Sequence, residues 1–213
     1  MTKSISLVAA CCRSHGIGNN GNLPWRLKKE MEFFTRITST VSIEDDNSSG
    51  DEMVKKNAVI MGIRTYMCIP PRFRPLKGRI NVVLSRTATE TPAGASYLFR
   101  NLSDAIETLS TLPEIDRLFV IGGESVYKEA SSKPETEYIF LTRIDADFDC
   151  DRFFPEIDLN QFEDLTLYDV NDFNNSEDSE EKKQILKKFA IPKGVQNENG
   201  LSYQYHLYRR IKQ

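Results

Sequence analysis

The sequence predicts an α/β protein, a mostly parallel sheet flanked by helices. Three observations carry this. Predominantly apolar runs at 4–12 and 117–121, broken only by Ser4, Ser6 and Arg117, are the mark of strands buried on both faces. Segments with apolar residues at helical spacing lie between such runs, as parallel strands require. The last run, 201–211, alternates through Tyr203, Tyr205 and Leu207 and suits an antiparallel strand.

Taken in order, 4–12 is the first strand, and the loop that follows is rich in glycine and asparagine. Such a loop takes positive φ at several points and lies close against a flat ligand. Residues 27–38 place Leu27, Met31, Phe34 and Ile37 on one helix face, with Glu30 at the edge of that stripe. Residues 41–56 are polar and acidic and read as a mobile surface loop. Residues 57–61 form a strand, and 62–65 open a short helix that Pro70 and Pro71 end. Strands follow at 80–84 and 97–99, then a helix over 101–112 with Asn101 or Ser103 as its cap. A strand at 117–121 runs into Gly122-Gly123 and a helix over 124–130. The last strands are 137–144, 165–170 and 201–211. Residues 171–200, charged and asparagine-rich, exceed an ordinary connection and read as an excursion, briefly helical over 182–189. The expected organisation is one domain over 1–213, with surface excursions at 41–56 and 171–200.

A net charge of −3 gives no reason to expect nucleic acid or an anionic membrane as partner. No apolar run reaches the roughly 20 residues of a membrane span. Residues 1–4 lack a signal-peptide pattern, and Cys11, Cys12, Cys68 and Cys150 lack framework spacing. The expectation is free thiols in a reducing compartment, the cytoplasm. With two histidines, no metal site is expected, and His15 beside Gly16 reads as a solvated loop residue before a general base. Nothing demands more than a monomer.

Parallel sheets bind ligands at the carboxyl ends of their strands, here the loops after Cys12, Met61, Leu84 and Ile121. Residues 16–21 satisfy the dinucleotide pattern G-x-G-x-x-G, yet Pro24 follows where that pattern needs a helix, so it is rejected. Gly122-Gly123 lets backbone approach a phosphate at a helix N-terminus, and it equally suits a plain tight turn. Arg64, Arg86 and Arg100 each follow a predicted strand and, with Ser85, can meet at one edge to hold a phosphate. Arg79 stands apart and can clamp a carboxylate. Singly, each arginine has the plainer reading of a solvated charge, and Glu30 that of a surface carboxylate.

Jointly these pieces resemble the dihydrofolate reductase family, the eukaryotic type most closely. The matching stretches include Gly16-Ile17-Gly18, Asn20-Gly21-Asn22-Leu23-Pro24-Trp25, Glu30 with Phe33-Phe34, Val59-Ile60-Met61-Gly62 and Arg74-Pro75-Leu76-Lys77-Gly78-Arg79. Val83-Leu84-Ser85-Arg86, Ile121-Gly122-Gly123, Ser125-Val126-Tyr127-Lys128, Thr142-Arg143-Ile144 and Phe153-Phe154-Pro155 continue the match. The resemblance covers most of residues 4–170 and implies an eight-stranded, mostly parallel sheet with an antiparallel last strand. It implies NADPH-dependent reduction of dihydrofolate to tetrahydrofolate, serving one-carbon metabolism and thymidylate synthesis, with antifolate-type molecules as further ligands.

By the same resemblance, Glu30 is the catalytic acid, Trp25 helps hold a nearby water, Thr142 supports Glu30, and Leu23 closes over the nicotinamide. Val8, Ala9, Met31, Phe34, Ile69, Leu76, Ile121 and Tyr127 would line the folate slot, and Arg79 would bind the tail carboxylate. Ala10, Ile17, Gly18, Gly21, Asn22, Gly62, Leu84, Gly122, Gly123, Glu124, Ser125, Val126 and Tyr127 would contact NADPH. Arg64, Thr65, Ser85, Arg86, Thr87 and Arg100 would serve its phosphates. The chain departs from the family at Ile63, where relatives usually carry lysine near the ribose phosphate, at Phe73, and at Met31, often phenylalanine. The alternatives are a related NADPH-dependent pterin or pyrimidine reductase, and a folate-binding module without catalysis. Trp25, Glu30 and Arg79 together favour folate over the first, and the intact acid and glycine turns weigh against the second.

Overall fold

The computed structural model describes residues 2–42, 54–167 and 177–211. Its elements in chain order are β1 (Ile5–Cys11), β2 (Gly16–Gly18), α1 (Lys28–Ser39), β3 (Lys56–Gly62), α2 (Ile63–Cys68), β4 (Ile80–Leu84) and β5 (Tyr97–Phe99). Then come α3 (Leu102–Thr111), β6 (Ile115–Val120), α4 (Glu124–Ser131), β7 (Thr136–Ile144), β8 (Arg152–Phe153) and β9 (Phe162–Asp164). The last are α5 (Glu177–Lys188), β10 (Gln196–Glu198) and β11 (Leu201–Arg210). The main sheet runs β10-β11-β7-β1-β6-β3-β4-β5, and β9 also pairs with β11. Pairings from β7 through β5 are parallel, and those of β11 with β7, β9 and β10 are antiparallel.

Side-chain alternation splits the core into two layers. Ile5, Leu7 and Cys11 of β1, Ala58 and Ile60 of β3, and Leu118 and Val120 of β6 face α3 and α4. Val8, Val59, Met61, Phe119 and Phe140 face α1, α2 and the end of α5. Both sheet faces are thus covered, which is why the central strands lack polar alternation.

Some expectations change. The buried residues of α1 are Glu30, Phe33, Ile37 and Thr38, whereas Met31 is 46% exposed. Glu30 therefore sits within the buried stripe and not at its edge. The sequence favoured the 27-31-34-37 spacing because it counted only apolar residues, and the helix is rolled toward its acid. The strand expected at 165–170 is β9, at Phe162–Asp164. The Asp164 carboxylate accepts the Thr166 amide at 2.9 Å, a local turn that ends the strand, and 168–170 lie outside the described residues.

The excursion expected over 171–200 returns to the body from residue 177 onward. α5 spans Glu177–Lys188, longer than the expected 182–189, and β10 joins the sheet edge. Phe189 and Ile191 are buried, and Arg36 donates to the carbonyls of Phe189 and Ala190 at 2.8 and 3.0 Å. Most of the acidic stretch 41–56, residues 43–53, lies outside the described residues.

Candidate active site

The loop between β1 and α1 is a strand-turn and not a helix start. β2 pairs with β8, an Asn19–Asn22 bridge closes the turn, and Asn20 and Gly21 take φ of 47° and 77°. Rejection of the dinucleotide pattern there agrees with this geometry. The loop delivers Leu23, 51% exposed, and Trp25, buried, to one cleft of about 290 Å³ that Glu30, Met31 and Asn199 also line.

Glu30 is 5% exposed. Its Oε1 accepts the Thr142 hydroxyl at 3.3 Å. Thr142 lies in β7 opposite Ala10 of β1 and Tyr205 of β11, directly in the layer that α1 covers. Burial pushes the Glu30 carboxyl up to about 7; the Thr142 bond opposes that rise and the Glu198 charge adds to it. Trp25 Nε1 is buried and meets no acceptor among the described residues, while its ring packs on Phe148. Val8 is buried, and its carbonyl accepts the Tyr127 hydroxyl at 2.7 Å, which fixes that ring against the sheet. Phe34, Ile69, Leu76 and Ile121 are half-buried around the same layer, and Ala9 and Ala10 are half-buried on β1.

Arg79 lies beyond Phe34, its guanidinium 5.9 Å from that ring's centroid. It donates to Thr38 Oγ1 at 2.8 Å and to the Lys77 carbonyl at 3.1 Å. Burial lowers its pKa from the ordinary arginine value.

On the other side of the sheet's carboxyl edge, two glycine turns touch. The Gly62 amide donates to the Gly122 carbonyl at 2.8 Å. Gly122 has φ of 121°, where a side chain is strained, and a Cβ there would meet the Tyr127 ring at 3.3 Å. A Cβ on Gly123 would come 3.1 Å from Thr65 Oγ1. Gly62 and Gly123 occupy the cap positions of α2 and α4, with no side chain accepting the first amides. Helix-start amides at Glu124 and Ser125, near Thr65, suit a phosphate, while the Val126 amide already donates to the Gly123 carbonyl at 3.0 Å. Gly62, Leu84 and Phe99 align across β3, β4 and β5, so the turns carrying Arg64, Arg86 and Arg100 lie side by side. Arg100 donates to the Arg86 carbonyl at 2.8 Å, and Ser85 Oγ accepts the Ala88 amide at 3.0 Å. Arg64, Arg86, Thr87 and Arg100 are exposed to solvent. Glycine cradle, bare amides and clustered arginines fit a phosphate-bearing dinucleotide.

His15 is placed elsewhere, in a cleft of about 280 Å³ with Arg143, Asp164 and Tyr208. Sequence reasoning missed Thr38 and Glu198. Glu198, at the end of β10, accepts the Lys28 and Lys29 amides at 2.7 and 3.0 Å and so caps α1. The signal was indirect: Leu27 stands at the cap position and cannot accept those amides.

A buried acid lining a cleft, and a phosphate-fitting edge on the same mostly parallel sheet, suit an α/β enzyme that draws on a nucleotide. A family model described as dihydrofolate reductase matches residues 4–188. The dihydrofolate reductases of Gallus gallus and Sus scrofa are each 39% identical over 213 residues, covering 98% of this chain and 97% and 98% of theirs. The solved Schistosoma mansoni dihydrofolate reductase is similar at a TM-score of 0.71 and 31% identity, covering 98% of this chain and 99% of that one. The chain belongs to the dihydrofolate reductase family. Its reaction is the reduction of dihydrofolate to tetrahydrofolate with NADPH as cofactor.

Proposed function

We propose that Glu30 is the group that governs protonation of the pterin during this reduction. The observation that carries the reading is a buried carboxyl, held near neutral pKa, bonded to Thr142 and facing the cleft. NADPH, when bound, supplies the hydride. The chain's own part is to make the acceptor carbon electron-poor by bringing a proton to the neighbouring ring nitrogen. Glu30 retains a proton in a large share of molecules at neutral pH because its ionised form is poorly solvated. The unmatched Trp25 N–H beside it suits a water that relays the proton. Leu23, exposed on the loop, is the residue we assign to closure over the nicotinamide.

Met31, Phe34, Ile69 and Leu76 are assigned to the folate slot, and Arg79 to the tail carboxylate, with Thr38 aiming its guanidinium. The glycine turns, Thr65, Ser85 and the three edge arginines are assigned to NADPH. Ile63 brings no charge, so preference for the phosphorylated cofactor rests on Arg86 and Arg100. Flat, basic heterocycles of antifolate type would compete for the same slot by pairing with ionised Glu30. We place the protein in the cytoplasm as a monomer, in keeping with its free thiols among the described residues. No helix among those residues is long and apolar enough to cross a membrane.

The test is the pH profile of NADPH oxidation. The protonated acid is the active form, so kcat/KM falls as pH rises through about 7. Glu30→Gln loses about 100-fold or more at neutral pH and recovers toward acid, where substrate enters already protonated. A variant equally slow at every pH would refute the role.

A further inference from the structure

We propose that Cys12 and Cys150 form a thiol–disulfide exchange site for small-molecule disulfides, one that tethers the β1–β2 turn to the β7–β8 connection. Cys12 directly follows β1 and Cys150 directly precedes Asp151 and β8. Both sulfurs lie within 3.0 Å of the point that a Cβ on Gly16 would occupy. The missing side chain at Gly16 is what lets the two thiols share one space. The backbone around them is already tied: the Cys12 amide donates to the Gly16 carbonyl at 3.0 Å, Asp151 to Gly18 at 3.0 Å and Phe154 to His15 at 2.8 Å. Two thiols from segments 138 positions apart, held by this ladder, need little movement to join.

Their chemistry is asymmetric. Cys12 is 2% exposed, and Cys150 is half-buried and reachable from solvent. Burial works to raise the Cys12 thiol, but the Ser14 hydroxyl at 3.2 Å and the backbone of Ser14, Gly16 and Phe148 outweigh it and hold it low. Burial, then the charge of Cys12, pushes Cys150 up. The reachable sulfur thus attacks first, and the buried one, readily ionised, resolves. Deprotonated Cys150 attacks one sulfur of the small disulfide and expels the other half as a thiol that takes up the proton. Cys12 loses its proton, attacks Cys150 Sγ and expels the second small thiol. Two protein thiols and one small disulfide become one protein disulfide and two small thiols. The protein loses two electrons, and the small molecule gains them.

The consequence falls on the loop that carries Leu23 and Trp25, because the bridge would lock its base to β8. That part rests on the reading of Leu23 as a closing residue; formation of the bridge does not. A third thiol, Cys68, packs against Gly21 of the same loop and is removed in the test, which leaves the buried Cys11 as the one thiol besides the pair.

The experiment takes the full chain carrying Cys68→Ser, exposes it natively to oxidised glutathione, and measures intact mass, peptide linkage and circular dichroism. The expected product is lighter by two hydrogens and contains a Cys12–Cys150 linked peptide, with the dichroism unchanged. Adding Cys12→Ser halts the reaction at a glutathione adduct on Cys150, and adding Cys150→Ser abolishes both products. Adducts without linkage, no reaction, or linkage only after loss of the dichroism would each overturn the site. Turnover is then measured before and after oxidation. The bridged chain is expected to lose most of its NADPH oxidation and regain it with a thiol reductant. Unchanged turnover in a chain proven to be bridged overturns loop control alone. Absent turnover in the reduced chain would count instead against the catalytic reading.

Discussion

A carboxyl sealed beneath a threonine hydroxyl responds to pH in stability as well as in rate. Glu30 ionises near its ordinary value when the chain unfolds but only at about 7 when folded. Between those values folded Glu30 holds its proton more tightly, so its contribution to stability falls as pH rises from about 4.5 to 7 and then levels. Removing the charge should reverse the loss. Glu30→Gln is expected to be more stable than the parent at pH 8, by at most about 3 kcal/mol, and equal or weaker at pH 4. Denaturant titrations at both pH values measure it, and an identical difference at the two would contradict the buried acid. Arg79 poses a second residue-scale question, since its guanidinium is aimed by Thr38. Arg79→Leu should greatly raise KM for dihydrofolate while leaving NADPH affinity nearly unchanged. Thr38→Val keeps the shape but not the hydroxyl, and a rise of about tenfold in the same KM is expected. If NADPH affinity falls in step, Arg79 serves the fold and not the tail carboxylate.

At the scale of elements, α1 shows how a helix can borrow its cap. Pro24-Trp25-Arg26-Leu27 offers no side-chain acceptor for the first amides, and the end of β10 supplies one through Glu198. The same carboxylate lies close enough to raise the pKa of Glu30. Glu198→Ala should therefore loosen the start of α1 and move the pH midpoint of kcat/KM downward. Glu198→Gln retains an acceptor but no charge, so it should move the midpoint while keeping most amide protection in hydrogen exchange. A midpoint unmoved in both variants would limit Glu198 to a structural cap. Helix boundaries were legible because periodicity and caps are local: Asn101, expected as a cap of α3, does accept the Asp104 amide at 2.9 Å. The roll of α1 was not legible, since a buried acid breaks the apolar pattern that periodicity reads. Nor were β2, β8 and β10, two or three residues each, long enough to carry an alternation.

Across the whole molecule, the sheet divides two apolar layers and opens its carboxyl edge to ligands on both sides of the β1–β6 pairing. The segment from α5 onward belongs to this body. Phe189 meets Phe140 edge-on at 4.9 Å and Tyr138 at 5.3 Å between ring centroids. Phe189→Ala is expected to cost about 3–5 kcal/mol, read by denaturant unfolding, while KM for NADPH changes little. A cost below about 1 kcal/mol would show that this segment is only loosely docked. From charge alone, 171–200 looked detachable, because two apolar residues after a polar helix carry little weight in a local window.

The amino-acid order by itself determined the longer strands and helices up to β7, the ligand-bearing edge and the residue types expected there, because alternation, caps and glycine turns are properties of neighbours. Tertiary structure decided which way α1 faces, what holds Arg79, who caps the acid's helix, and that two distant cysteines meet over a glycine. Those depend on burial and on contacts between segments far apart in the chain, whose free energies no local window contains.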